Sequence, residues 1–409
     1  MFFSYIEIEA KNVLSIEKAS CPEYDDRYFS IELIDFKTQI APSSHFLFPN
    51  EFIMSIKSWS ARFHLIDLLL FFIPVSAVCY FLHAAPVVSF ASAAAALVAI
   101  SHLMVEATGI ISQRVSSTVS ALINATFGNA IEFMIAIFAL RAGLVTMVKA
   151  SITGSIILNV LFLIGLSMVA GGMKYKEQRF SKDSAGLSST MLIIIVVGLA
   201  MPSMYSILVG KPAQNMSIAV SIILGIIYLL SLFYTLVTHK HLFVVKRDAP
   251  ASGSYRPWPF RLAIGILLIS AIVAGFESSF IVDTITPLID TLGITQTFAG
   301  LVLIALLTNI PEQISAAKFA RMNNMTLSLE IGMSSALQIA LFVVPILVLL
   351  SSTLTGHTMD LVLSPFELIS LVMTAMIANY ISADGICHWL EGAQLLAVYA
   401  LIATAFYFI

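Results

Sequence analysis

The feature that most constrains this chain is a succession of apolar runs, each about 20 residues long or longer. An α-helix of about 20 residues can cross the apolar layer of a bilayer. The chain is 59% hydrophobic and only 11% charged, too little polar surface to enclose it in water. The sequence therefore predicts an all-α polytopic membrane protein with about 11 transmembrane helices. The runs lie at approximately 64–83, 86–105, 113–140, 150–171, 187–209, 216–237, 260–282, 295–320, 326–350, 364–383 and 388–409.

Charge is distributed unevenly along the chain. Residues 1–63 hold nine acidic and six basic residues, and so account for the whole net charge of −3. No basic stripe is available to neutralise phosphates, so a nucleic-acid partner is not expected. Loops on one side of the predicted membrane carry twelve Lys or Arg residues and loops on the other side carry three. The positive-inside rule then places the N-terminus in the cytoplasm and the C-terminus on the opposite side.

The predicted organisation has five parts. They are an N-terminal cytoplasmic tail (1–63), an extra transmembrane helix (64–85), a first five-helix repeat (86–238), a cytoplasmic linker (239–259) and a second five-helix repeat (260–409). Two interpretations of the tail stay open, a disordered native segment or an extension upstream of a start at Met54. No basic segment precedes a short apolar one, which argues against a cleaved signal peptide. Three widely spaced cysteines predict neither a disulfide nor a metal framework.

An internal repeat relates the two halves at an offset of 180 residues. The register holds without a gap for about 40 residues, with identities that include Asn129/Asn309, Glu132/Glu312 and Ser155/Ser335. The copies begin in predicted spans three and eight, so an odd number of spans separates them and they cross the membrane in opposite directions. Inverted repeats of this kind occur in secondary transporters, whose substrate site lies near the bilayer midplane.

Each copy places a glutamate, Glu132 or Glu312, within an apolar span. A carboxylate at membrane depth is costly unless a proton or a cation neutralises it. Neutral oxygens lie one turn away on the same helix and in the following span. Carboxylates with amide and hydroxyl oxygens suit Ca²⁺, and the lack of thiolate or imidazole argues against softer metals. The candidate metal ligands are Glu132, Glu312, Asn129, Asn309, Ser155, Ser335, Gln338 and Asn159.

Other residues have weaker or alternative interpretations. A single Asn or Ser in a membrane helix also occurs as a packing residue without any ligand role. Glu106 and Glu277 are secondary candidates for proton coupling, because they lie near predicted span ends where a carboxylate can reach water. Pro311 is expected inside a helix, where it would free the Leu307 carbonyl. Three further acids are expected at the surface: Glu330, Glu367 and Glu391.

Several motifs resemble a known family. GNAIEFMIAIFAL with KASITGSIILN is similar to the first α-repeat of the CAX branch of the calcium/cation antiporter superfamily, the H⁺/Ca²⁺ exchangers. SSALQIALFVVPILVL is similar to the end of the second α-repeat, and THKHLF and the C-terminal DGICHWLEGAQLLAVYALIATAFYF also resemble stretches of this branch. The resemblance implies two five-helix bundles preceded by one helix, exchanging cytosolic Ca²⁺ for protons. It implies that Glu132 and Glu312 bind cation and proton alternately, beside Asn129, Asn309, Ser155, Ser335 and Gln338.

The chain departs from the family pattern at four positions. Thr308 replaces a glycine and Gln313 a histidine in the second motif, while Gly109 and Ser279 stand where the family has acids. These changes bear on cation preference and proton coupling. An antiporter of the same superfamily coupled to Na⁺ or K⁺, or selective for Mn²⁺, is therefore the main alternative.

Two further classes are more distant. A cation channel would not need the inverted repeat, and an intramembrane hydrolase would need a nucleophile or a bound metal beside a glutamate. We therefore expect no enzymatic activity and no resident cofactor. The expected partners are the lipid bilayer and the transported Ca²⁺ and H⁺. The expected location is the inner membrane in a bacterium, or a vacuole-like membrane in a eukaryote.

Overall fold

Helices make up nearly all of the structure, a computed structural model that describes residues 65–238 and 258–409. The predicted tail and most of the predicted linker lie outside the described residues. The first half opens with a 3₁₀ helix, Leu65–Phe71. Its helices are α1 (Phe72–Phe81), α2 (Pro86–Ser112), α3 (Ser117–Phe127), α4 (Ala130–Arg141), α5 (Val145–Gly172), α6 (Lys182–Val209) and α7 (Gln214–Thr238), and strand β1 (Gln178–Arg179) precedes α6.

The second half follows the same order from its first long helix onward. Its elements are α8 (Phe260–Leu292), α9 (Gln296–Thr308), α10 (Ile310–Arg321), α11 (Met325–Thr355), α12 (Pro365–Ile381), β2 (Ile386–Cys387) and α13 (Trp389–Tyr407). Short π-helical segments lie within α5 (Leu158–Leu163) and α11 (Ile339–Val343). Such segments shift the direction of the side chains that follow.

Seven of the described helices are long and apolar enough to cross a membrane, namely α2, α5, α6, α7, α8, α11 and α13. The pair α9–α10, bent by 55°, would make an eighth span, and α1 and α12 belong to shorter apolar helices. A polytopic helical membrane protein is therefore confirmed. The total of about 11 spans stays a prediction.

Two predicted spans, 113–140 and 295–320, are interrupted at equivalent asparagines. The backbone leaves helical geometry at Asn129 (φ −113°, ψ 26°) and at Asn309 (φ −100°, ψ 10°), and a new helix begins at the next residue. Pro311 therefore lies in the first turn of α10, where a missing N–H removes no helical hydrogen bond. The expectation that Pro311 frees the Leu307 carbonyl inside a continuous helix is wrong, because the interruption occurs at Asn309.

The two halves touch directly through their backbones. A Cβ added at Gly154 of α5 would lie 2.2 Å from the carbonyl oxygen of Leu301 in α9, and one at Gly300 would lie 2.5 Å from that of Met147. Elsewhere, β1 pairs antiparallel with β2, joining Gln178 to Cys387 and Arg179 to Ile386. Glycine at the α5–α9 crossing thus lets helices of different halves approach closely.

The loop between α11 and α12 is fastened to the first half. The main-chain N–H groups of Leu361 and Leu363 donate to Ser217 Oγ (2.9 Å) and Ser203 Oγ (2.8 Å). Lys149 Nζ lies 3.0 Å from Asp360 Oδ1 and donates to the Val362 carbonyl at 2.7 Å. The Lys149 side chain is only 18% exposed, so solvent screens this ion pair incompletely.

We expect Lys149→Met to lower the stability of the protein by about 1 to 2 kcal/mol, because it removes a partly buried ion pair and a charge-assisted hydrogen bond. The measurement is the unfolding temperature of the purified protein in detergent. Arg179→Met is the matched control, because Arg179 forms an exposed pair with Glu177 and its loss should change little. Equal shifts for the two variants would contradict the stabilising role of the Lys149 pair.

Candidate cation-binding site

The two interruptions bring two carboxylates together. Glu132 and Glu312 each occupy the third position of a helix, in α4 and α10, and they lie close enough for their charges to interact. Each carboxyl group also takes a hydrogen bond from the main chain of its own residue. The first turn of a helix has free N–H groups and a partial positive charge, which favour a carboxylate there.

An amide network connects the same region across the two halves. Asn129 Nδ2 donates to Gln338 Oε1 at 2.7 Å, so a residue of the first half contacts α11. Asn159 Nδ2 donates both to Asn309 Oδ1 at 2.8 Å and to Ser335 Oγ at 2.9 Å. Asn159 belongs to the π-helical segment of α5 and is fully buried. It thereby links α5 to the interruption at Asn309 and to α11.

Two longer hydrogen bonds complete this network with near symmetry. Asn309 Nδ2 donates to Ser155 Oγ, and Ser335 Oγ donates to Asn129 Oδ1, both at 3.4 Å. The structure therefore brings together the six neutral residues that the sequence proposed as ligands. Glu132 lines one pocket with Ser155, which places the carboxylate pair beside the network.

Several oxygens in this region have no hydrogen-bond donor among the described residues. Glu312 Oε2 and Asn159 Oδ1 are both buried and without such a partner. A buried acceptor that lacks a donor is unfavourable unless a proton or a cation satisfies it. The described part of the chain contains no group of three or more His, Cys, Asp or Glu residues suited to a metal. Neutral oxygens would therefore complete the coordination of a cation held by Glu132 and Glu312, as hard cations allow.

The two secondary acids lie deeper than expected. Glu106 in α2 and Glu277 in α8 are 4% and 1% exposed, so the interpretation that they reach water at span ends is wrong. Glu277 Oε1 accepts a hydrogen bond from Ser76 of α1 at 2.7 Å. This bond comes from the helix that precedes the repeats and not from the amide network.

The three acids expected at the surface differ from one another. Glu367 is buried and caps α12, because Glu367 Oε2 accepts the Ser364 N–H at 2.8 Å, so its surface assignment is wrong. Glu330 is half-buried and accepts a hydrogen bond from Ser184 Oγ at 3.0 Å. Glu391 is partly exposed and accepts the His388 N–H. Apolar runs alone did not distinguish these environments.

Sequence reasoning missed the contact that Thr308 makes. Its side chain lines the pocket of Glu132 and interacts with that carboxyl group. In the sequence, Thr308 was notable only as a departure from a family glycine. The available signal was the repeat itself, because the equivalent position in the first copy is Gly128.

A membrane-spanning helical fold with a carboxylate pair set among amide oxygens defines a polytopic protein of the cation-exchanger class. The sodium/calcium exchanger protein family model matches residues 85–237 and 262–408, and the chain belongs to this family. The predicted resemblance to the H⁺/Ca²⁺ exchangers is confirmed by the relatives.

Two relatives and one solved structure give the scale of the similarity. The chain is 38% identical over 359 residues to a Ca²⁺/H⁺ antiporter of Aphanothece halophytica, covering 83% of this chain and 95% of the relative. It is 35% identical over 338 residues to the Ca²⁺/H⁺ antiporter ChaA of Bacillus subtilis, covering 82% and 96%. The structure of native YfkE is 32% identical and matches with a TM-score of 0.74, covering 85% of this chain and all of that one.

Proposed function

We propose that this protein is a secondary transporter that exchanges cytosolic Ca²⁺ for protons across a membrane. The observation that carries the proposal is the meeting of Glu132 and Glu312 beside one network of amide and hydroxyl groups. Relatives named Ca²⁺/H⁺ antiporters, which the chain matches over most of their length, support the same cation and coupling ion. We expect no enzymatic reaction.

The proposed mechanism rests on the charge of the site. A bound Ca²⁺ balances two ionised carboxylates, Glu132 and Glu312. In the absence of Ca²⁺, two neighbouring carboxylates shielded from water cannot both stay ionised at low cost, so they take up protons. Both loaded forms are electrically balanced, whereas the empty, ionised form is costly to move through the bilayer. This difference couples the flux of Ca²⁺ to the opposite flux of protons.

Alternating access by two inverted repeats is part of the proposal. In support, α4 and α10 have the same length and start 180 residues apart, as do the starts of α5 and α11. The proposed units are five-helix repeats at 86–238 and 260–409, preceded by one extra helix, giving 11 spans. One bundle would move relative to the other around the fixed site.

The proposed orientation has the N-terminus in the cytoplasm. It is supported by the loop cations, which number twelve on one side and three on the other. The three are Arg141, Lys149 and Lys211. In this orientation the ion pair of Lys149 lies on the side opposite the cytoplasm.

The direct test is uptake of radiolabelled Ca²⁺ by proteoliposomes under an imposed pH gradient. We expect uptake that requires the gradient and is abolished by a protonophore. A Na⁺ gradient without a pH gradient should drive little uptake. Uptake driven only by Na⁺ would identify a sodium-coupled exchanger instead, and transport of Mn²⁺ in preference to Ca²⁺ would correct the proposed cargo.

A further inference from the structure

Thr308 makes the two halves of the site unlike each other. It is the last residue of α9 and is 4% exposed, and it lines the pocket that contains Glu132 and Ser155. The residue that corresponds to it in the first repeat is Gly128, which has no side chain. A hydroxyl group is therefore present at this position in one repeat only.

The hydroxyl of Thr308 has several neighbours. It donates to the carbonyl of Ile304 at 3.1 Å and accepts a hydrogen bond from Asn309 Nδ2 at 3.1 Å. The same side chain interacts with the Glu132 carboxyl group. A hydroxyl has one hydrogen and two lone pairs, so it can hold the Asn309 amide while its hydrogen serves either the carbonyl or the carboxylate. Thr308 thus joins Glu132 to the amide network.

Glu312 has no equivalent arrangement. Its Oε2 atom is buried without a hydrogen-bond partner among the described residues. At Gly128, an added Cβ would lie 2.4 Å from the Asn124 carbonyl oxygen, so the backbone leaves no room for a side chain there. The two carboxylates occupy equivalent positions in the sequence but have different surroundings.

We propose that Thr308 is a positioning residue of the cation site. Its hydroxyl orients the Glu132 carboxylate and the Asn309 amide, so that Glu132 is arranged before the cation arrives while Glu312 adjusts to the cation. Prearranged ligands bind more tightly because less side-chain freedom is lost on binding. This inference rests on the proposed function and assigns unequal roles to its two carboxylates.

The test compares Thr308→Val, which keeps the shape and removes the hydroxyl, with Thr308→Ser, which keeps the hydroxyl. Initial rates of Ca²⁺ uptake are measured in proteoliposomes over a range of Ca²⁺ concentrations at one fixed pH gradient. We expect Thr308→Val to raise KM about tenfold, the change that corresponds to about 1.4 kcal/mol, with the maximal rate little changed. Thr308→Ser should stay close to the wild type.

Thr374→Val is the matched control. Thr374 is a buried threonine of α12 that donates to the Ser370 carbonyl at 2.7 Å, as Thr308 does to Ile304, and lies outside the pocket lined by Glu132. Its KM should match that of the wild type. Equal increases for Thr308→Val and Thr308→Ser would indicate loss of packing and overturn the inference, as would a wild-type KM for Thr308→Val. Should Thr308→Val not fold, Thr308→Ala carries the same expectation.

The wild-type protein separates this inference from the function on which it rests. If wild-type proteoliposomes transport another cation, the proposed cargo is wrong, and the valine and serine variants are compared with that cation. If the wild type exchanges Ca²⁺ for protons but the two variants do not differ from each other, only the role of Thr308 is wrong.

Discussion

Glu132→Gln is expected to abolish proton-driven Ca²⁺ transport, and Glu312→Gln is expected to do the same. Each substitution removes one of two charges that balance the cation while keeping the shape of the side chain. Leaving a buried charge without its partner costs about 3 to 5 kcal/mol, which corresponds to a loss of at least a hundredfold in affinity. The measurement is the initial rate of Ca²⁺ uptake by proteoliposomes under a pH gradient.

Glu177→Gln is the control for this pair of substitutions. Glu177 pairs with Arg179 at the surface, close to β1, so removing its charge should leave transport unchanged. Thermal unfolding of all three variants shows whether the protein is still folded. Wild-type transport by both Glu132→Gln and Glu312→Gln would show that the site has been assigned to the wrong residues.

Gly154→Ala is expected to prevent stable assembly of the two halves. The added Cβ would lie 2.2 Å from the carbonyl oxygen and 2.5 Å from the Cα of Leu301, and a backbone cannot yield as a flexible side chain does. Overpacking of this kind costs about 3 kcal/mol or more at a tightly packed position. We expect a low yield of folded protein and a large fall in its unfolding temperature in detergent.

Gly186→Ala provides the comparison, since no atom lies within 4 Å of a Cβ added there on α6. Alanine is the better helix former, so this variant should be as stable as the wild type or slightly more stable. If Gly154→Ala behaved like Gly186→Ala, the close approach of α5 and α9 would not be required for folding.

The sequence predicted the helical membrane fold because apolar runs of sufficient length have few other solutions in a lipid environment. It also singled out Glu132 and Glu312, because a buried acid repeated at one offset is a rare pattern. Helical spacing indicated which residues share a face within one span, such as Ser155 and Asn159. The hydrogen bonds between spans, such as that from Asn159 to Asn309, needed the structure.

Hydropathy could not reveal the interruptions at Asn129 and Asn309. The residues around each asparagine are apolar, so a broken helix and a continuous one have the same hydropathy. Burial of Glu106 and Glu277 was missed for a related reason, because the ends of the runs were placed several residues from the helix ends in the structure. The contact between Thr308 and Glu132 depends on the turn at Asn309, which no periodic pattern encodes.

The two-stranded ladder of β1 and β2 has a consequence for how the chain can change over evolutionary time. Its bonds join main-chain atoms of the two halves, Gln178 with Cys387 and Arg179 with Ile386. Main-chain bonds survive replacement of the side chains around them, provided that proline does not remove a donor. The sequences of these two connections can therefore drift while the halves stay attached at this point. The attachment through Lys149 and Asp360 has no such freedom, because it depends on two particular side chains.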